Sequence, residues 1–418
     1  MSGFSSEFRR GWPDLFGATI GLASGIATYT NISSLFFRAL EREFHWSKGV
    51  AAVALLAMPI TAIFIPLAGR LVDRFGVRPV AGLSALMLAA SYWSLSDMNG
   101  SLIAFYLGFM AFNVLGCATN PVSYTRPIAE KFPTSRGAAI AIVLTGIAVA
   151  GAALPPLLGP TLARGEWRLC YRILAVLAVG GGLLAVSLLR RSTPRNEAQV
   201  AGEGWAAADA IRTPRFWVLS AAIFTASAAS IGFISQLQSV AVEAGVPIQM
   251  TFALLSSMSL SVVVARLGTG WAVDAFQPEF VACAVLIASA VSMVAWLLAP
   301  LALTWAFIGT VLLGVTVGGE YTFISFFAAR LFGMRAYSAI FGALAASLYT
   351  GMAAGSIFFG MMHDLTGNYR GAIGGAAVLF LASAALFTAL KRFPVFGIAE
   401  PGAAQTLGVP SSILAAAD

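Results

Sequence analysis

Charge is what this sequence has least of. Only 10% of its 418 residues are Asp, Glu, Lys or Arg, and 59% are hydrophobic, whereas soluble domains carry roughly 25% charged residues. With a mean hydropathy of +0.85, the chain cannot cover itself with polar surface, so its solvent is lipid. Cysteine is scarce too. Cys117, Cys170 and Cys283 sit in or beside apolar runs without metal-ligand spacing, which reads as small packing residues. The two histidines, His45 and His363, are isolated along the chain and exclude a metal site. Each reads as a structural residue near a membrane surface, with gating as the alternative. No cofactor is expected. Strand-like alternation over ~10 residues, the mark of a membrane β-barrel, is absent. The N-terminus lacks a small-residue cleavage site, so the first apolar run is expected to serve as its own insertion signal. No polar stretch is long enough for a soluble catalytic or output domain, and no acids or histidines cluster at one interface. These absences exclude an enzyme or a sensor.

Long apolar runs fill the rest. Each crossing needs about 20 residues, and runs of that length fall near 13–37, 49–72, 79–96, 101–125, 137–163, 170–189, 215–242, 249–273, 280–299, 301–329, 336–362 and 371–390. The predicted fold is an all-α membrane protein of twelve helices, six on each side of a polar stretch. The expected units are a first half (1–190), a linker (191–214), a second half (215–392) and a tail (393–418). The linker reads as a short surface helix or a tether. The 42 glycines suit close helix packing in lipid. The net charge of +7 is no nucleic-acid footprint, because most of the Lys and Arg fall on loops sharing a side with the N-terminus. That bias predicts cytoplasmic termini.

A short motif is repeated about 200 residues apart, the sign of an internally duplicated bundle. Gly69-Arg-Leu-Val-Asp73-Arg74-Phe75-Gly76-Val-Arg78 follows the second run, and Gly270-Trp-Ala-Val-Asp274-Ala-Phe276 follows the eighth. Gly159 and Gly360 recur at the same interval. A lone carboxylate near a helix C-terminus is unfavourable, so Asp73 needs a partner. That contact predicts a conformational latch of Gly69, Asp73, Arg74, Arg78 and Asp274, weaker in the second copy, where Ala275 replaces the arginine. The alternative is that these charges only set topology.

Ionisable residues inside a membrane are expensive and mark pathways. Arg266 lies two turns before Asp274, ~12 Å from the helix end. A guanidinium there matches a carboxylate ligand, or else pairs with an acid to hold helices together. Glu320 is the one acid deep in the tenth run, at a depth close to that of Arg266. A substrate anion competing for Arg266 would free Glu320 to take a proton, whereas as a cap it would serve the helix break at Gly318-Gly319. In the fourth run Pro121 and Pro127 predict a bend beside a cavity, with Asn120 and Tyr124 on one face as ligand contacts. Tyr321, Gln236 and Tyr29 complete the candidate substrate-binding set. Arg126 snorkels or joins that set. Tyr349 and Asn31 are further polar residues at mid-depth.

The Gly69–Arg78 motif, its second copy and twelve runs resemble the major facilitator superfamily. Several segments are similar to its monocarboxylate and oxalate/formate porter branch: Phe44-His45-Trp46-Ser47, Lys131-Phe132-Pro133-Thr-Ser-Arg136-Gly137, Gly165-Glu-Trp167-Arg168-x-x-Tyr171, Arg330-Leu-Phe332-Gly333 and Asp364-x-x-Gly367-x-Tyr369. The resemblance implies that Arg266 binds the substrate carboxylate. The chain departs from the animal carriers in two places: Val262 stands where they carry an acid, and the first run lacks their lysine. The expectation is a secondary transporter that moves a small organic anion, a monocarboxylate, by alternating access with proton symport through Glu320. The setting implied is a bacterial inner membrane, with the monomer as the simplest unit. Exchange of organic anions and efflux of small hydrophobic compounds are the alternatives.

Overall fold

The computed structural model describes residues 2–132, 136–189, 204–333 and 335–393. Among these the chain is helical throughout, without a strand. The first half contains α1 (Ser2–Ala23), α2 (Ile26–Phe44), α3 (Lys48–Val53), α4 (Ala57–Phe75), α5 (Val77–Ser96), α6 (Leu102–Leu115), α7 (Pro121–Lys131), α8 (Arg136–Ala163) and α9 (Trp167–Leu188). A five-residue helix, α10 (Ala207–Ile211), precedes the second half. That half contains α11 (Pro214–Glu243), α12 (Ile248–Ala275), α13 (Pro278–Leu298), α14 (Leu303–Phe332), α15 (Tyr337–Thr366) and α16 (Arg370–Ala389).

Nine stretches among the described residues are individually long and apolar enough to cross a membrane. The other three crossings are α1–α2, α5 and α6–α7, diluted by breaks or by serines. The first and fourth runs, read as continuous, are each broken, and the two breaks support each other. Pro121 forces the preceding Asn120 into an extended conformation with ψ 161°, which ends the first part of the fourth crossing. The freed carbonyl of Leu115 accepts from the Ser84 hydroxyl at 2.6 Å. In the first crossing the helix stops at Ser24-Gly25. There the amide of Ile26 donates to the Thr119 hydroxyl at 3.0 Å. The Thr28 hydroxyl donates to the Ala23 carbonyl at 2.9 Å. Gly25 is needed at this crossing, because a Cβ would lie 2.6 Å from the Thr119 carbonyl. Each break thus finds partners for backbone groups that lipid could not satisfy.

The first half packs around aromatic rings. Tyr29 lies among Phe36, Phe109, Phe112 and Tyr92, with ring centroids 5.1 to 6.0 Å away. Its hydroxyl meets that of Tyr171 at 2.9 Å. The second half packs around α11, in which every residue from Ala226 to Ala241 is buried. Small residues let other helices come close to it: a Cβ on Gly355 of α15 would run into the Ala228 carbonyl. Large apolar side chains such as Leu157, Val176, Val264, Trp271 and Val378 point outward, as lipid-facing residues should.

The halves meet along seams that the duplicated glycines line. A Cβ on Gly159 of α8 would lie 2.5 Å from the Phe252 ring of α12. One on Gly360 of α15 would lie 2.7 Å from the Cα of Gly49 in α3. The Ser256 hydroxyl of α12 also donates to the Ala152 carbonyl of α8 at 2.6 Å. The described part of the linker is a short helix docked on the second half. Trp205 donates its amide to the Phe332 carbonyl at 2.9 Å, and the Arg215 guanidinium stacks 4.2 Å over the Trp205 ring. We call this the linker end of the molecule and the opposite one the far end.

Candidate functional site

Arg266 sits on the seam between the halves. Its Nη1 donates to the Leu144 carbonyl of α8 at 2.9 Å, a cross-half contact that sequence reasoning missed because a backbone carbonyl leaves no mark in sequence. Among the described residues no carboxylate forms an ion pair with it, so the expectation that an acid holds it in place gains no contact here. Tyr321 of α14 is close enough to interact with it electrostatically.

Glu320 does reach the depth of Arg266. The two helices touch there, because Gly318 lets α14 close on α12: a Cβ on it would lie 3.0 Å from the Arg266 backbone nitrogen. The side chains nevertheless diverge. Glu320 is buried and turns to α11, where the Ser230 hydroxyl donates to its Oε1 at 2.6 Å. Ser230 is a contact that sequence reasoning missed, since it is one of several serines in its helix. α14 runs unbroken through Gly318-Gly319, so Glu320 caps no break.

The other candidates lie elsewhere. Tyr124 is buried against Gly21, where a Cβ would meet its ring at 2.5 Å, inside a cluster with Leu15, Leu22 and Val72. Asn120 is buried at the start of α7. Tyr29 belongs to the aromatic core. The Gln236 side chain accepts from the Tyr369 hydroxyl at 2.9 Å, within the second half. No contact described joins any of these four to Arg266. Asn31 lies against Gly151 on the α8 seam. The side chains of Gly69, Asp73, Arg126, Pro127 and Asp274 lie outside the described residues. Arg74 is exposed over the Phe75 ring at 5.2 Å, and Arg78 opens α5.

The described ion pairs at the linker end stay within a half: Lys131 with Asp14 at 2.5 Å and Arg330 with Glu279 at 3.2 Å. The described far-end ion pairs do so too, but there hydrogen bonds cross the seam. Asp364, at the end of α15, accepts from the backbone amides of Lys48 and Gly49 at 3.2 and 2.9 Å, so it caps α3 of the other half. The Lys48 ammonium lies 2.9 Å from His363 Nε2 and 4.4 Å over the Tyr369 ring. Glu243 lies 3.3 Å from the same Nε2 and accepts from the Tyr369 amide at 3.2 Å. His363, which looks isolated along the chain, therefore gains an acid from another helix. A crevice of about 570 Å³ opens beside the cluster, with Arg38, Glu41 and Arg42 in its wall.

The Major Facilitator Superfamily model matches residues 18–347, most of the chain. The chain belongs to the Major Facilitator Superfamily. It is 26% identical over 367 residues to monocarboxylate transporter 13 of Rattus norvegicus, covering 86% of this chain and 83% of that one. Over 142 residues it is 23% identical to the riboflavin transporter RibJ of Trypanosoma brucei brucei, covering 34% and 26% of the two chains. Among solved structures it resembles a bacterial homologue of the human lysosomal transporter Spinster, inward-facing and unoccupied. The TM-score is 0.69 at 18% identity, covering 91% of this chain and 96% of that one. The nucleoside transporter NupG superposes with a TM-score of 0.68 at 12% identity, covering 90% and 98%. Membership makes the chain a multi-pass membrane transporter of small molecules, with the superfamily's fold of twelve helices in two pseudo-symmetric halves.

Proposed function

We propose that this superfamily member moves a small organic anion, a monocarboxylate, by alternating access together with a proton. The observation that carries the reading is Arg266, held at mid-molecule by a backbone carbonyl of the opposite half and paired with no described carboxylate. A guanidinium has five donors in a fork that fits a carboxylate. An arriving anion takes those donors and competes with the bond to Leu144, so loading biases how the halves sit against each other. Tyr321 orients the anion beside it, and Asn120 and Tyr124 contribute from the broken fourth crossing. Tyr29 and Gln236 are left with packing roles. A second negative charge at this depth is costly. A proton on Glu320, whose described partner is a hydroxyl rather than a cation, removes it while the anion is bound. Gly69, Asp73, Arg74, Arg78 and Asp274 latch the linker end. The Lys and Arg bias puts that end in the cytoplasm of a bacterial inner membrane. The similarity to a named monocarboxylate transporter over most of both chains supports the substrate class.

The test is uptake of radiolabelled monocarboxylates into proteoliposomes, with and without an inward proton gradient, for wild type and Arg266→Ala. Gradient-driven uptake lost in the variant is the expected result. Uptake that ignores the gradient but requires internal anion replaces symport with exchange. Absence of carboxylate uptake in every condition overturns the anion reading.

A further inference from the structure

The far-end cluster has a feature that the transport reading does not use. One nitrogen, His363 Nε2, faces two partners of opposite kind on opposite halves: the Lys48 ammonium of α3 at 2.9 Å and the Glu243 carboxylate of α11 at 3.3 Å. An ammonium can only donate, so the contact to Lys48 requires Nε2 to be unprotonated and accepting. The contact to Glu243 is strongest when Nε2 carries a proton and donates. The two bonds are alternatives. The first joins the halves, and the second lies within one half.

We infer that His363 is a proton-binding switch that releases the far-end closure by exchanging Lys48 for Glu243. With a neutral imidazole, the closure holds through the Lys48–His363 hydrogen bond and the Asp364 cap on the α3 amides. A proton on Nε2 sets two cations against each other across the seam and gives the imidazolium a carboxylate on its own side. The closed state then binds the proton less well than the open one, so acid shifts the population towards opening. The charge nearest the ring across the seam, Lys48, sets the sign. Lys48 opposes the proton from across the seam, with Arg38 and Arg42 of α2 behind it in the crevice wall. Glu243 favours it from the same half. Asp364 is engaged by the α3 amides and stays on the histidine's own half, whereas Glu41, also in the crevice wall, is an acid across the seam that partly offsets Lys48. Lys48 also lies 4.4 Å over the Tyr369 ring, a second cross-seam contact that opening breaks together with the histidine bond. If the far end is outside, as the proposed orientation has it, external acid opens the carrier to the side from which proton and anion enter. That physiological direction rests on the transport reading; the switch itself does not.

The experiment measures a distance and uses no substrate, so it succeeds or fails independently of the anion assignment. In a full-length chain with Cys117, Cys170 and Cys283 replaced by serine, spin labels at Glu43→Cys and Leu365→Cys report the far-end separation. Both positions are exposed, one on each half. Between pH 8 and pH 5 the long-distance population should rise several-fold, with its midpoint in the histidine range. His363→Gln keeps a neutral acceptor for Lys48 and should hold the short distance at every pH. His363→Arg carries a fixed cation and should hold the long distance at every pH. Glu243→Gln removes the second partner and should move the midpoint to lower pH. Acid opening that persists in His363→Gln overturns the switch, as does a wild-type distance that ignores pH.

Discussion

The two halves share an architecture and differ in what they bury. The interior of the first is an aromatic cluster closed by one hydroxyl pair, Tyr29 with Tyr171. The second buries Glu320 beside Ser230 and carries Arg266 on the face it turns to the first. The buried carboxylate of the first half, Asp14, is neutralised by Lys131 of the same half, whereas Glu320 meets only a hydroxyl among the described residues. Ionisable groups in lipid persist where they bind something, so the proposed function assigns the charged part of the site to the second half.

That contrast can be broken by mutation, most severely at Arg266. Arg266→Ala removes charge-assisted hydrogen bonds, each typically worth about 1.5–3 kcal/mol. Uptake should fall by at least roughly 100-fold if two such bonds bind the anion. Glu320→Gln keeps an acceptor for Ser230 and removes the titration. Gradient-driven accumulation should vanish while anion counterflow survives; accumulation that continues would move the proton site elsewhere. Gly355→Ala forces a methyl onto the Ala228 carbonyl. It should cost about 1–3 kcal/mol of stability, read as a lowered Tm in detergent. Tyr171→Phe leaves the buried Tyr29 hydroxyl without its partner, at about 1–2 kcal/mol. Its uptake should change less than threefold, and a larger loss would give the first half a share in the chemistry. The smallest effect belongs to Asp97 at the far end. The Arg172 guanidinium donates to it at 3.0 Å and holds its carboxyl below the usual carboxylate range. A depressed carboxyl contributes above its unfolded pKa and loses that contribution only as pH falls through its folded value, below about 4. Asp97→Asn should therefore lower Tm by the same small amount at every pH between 5 and 8, and the difference from wild type should vanish only in acid.

Much of the frame was legible in sequence. Crossings announce themselves because a span in lipid must be apolar for about 20 residues, and Pro121 predicted the bend where α6 gives way to α7. The break at Ser24-Gly25 was not legible, because it depends on Thr119 arriving from another helix. Arg266 and Glu320 stood out as charges among apolar neighbours. Their partners did not, since Ser230 resembles the serines around it and Leu144 acts through its backbone. Asn120 and Tyr124 share a face in sequence, but the packing of Tyr124 against Gly21 of its own half was not legible there. His363 looked alone because Glu243 and Lys48 lie more than a hundred residues away.

By itself the sequence determined the solvent, the helical class, the duplication and which rare charges needed explaining. All of these follow from composition and local period, which each segment carries without reference to the others. The tertiary structure alone decided which charge meets which. Arg266 and Glu320 share a depth yet face different helices, and Lys48 and Asp364 meet across the seam. Such pairings depend on how helices rotate about their axes and which halves touch, and rotation is set by packing between segments that a linear pattern does not record.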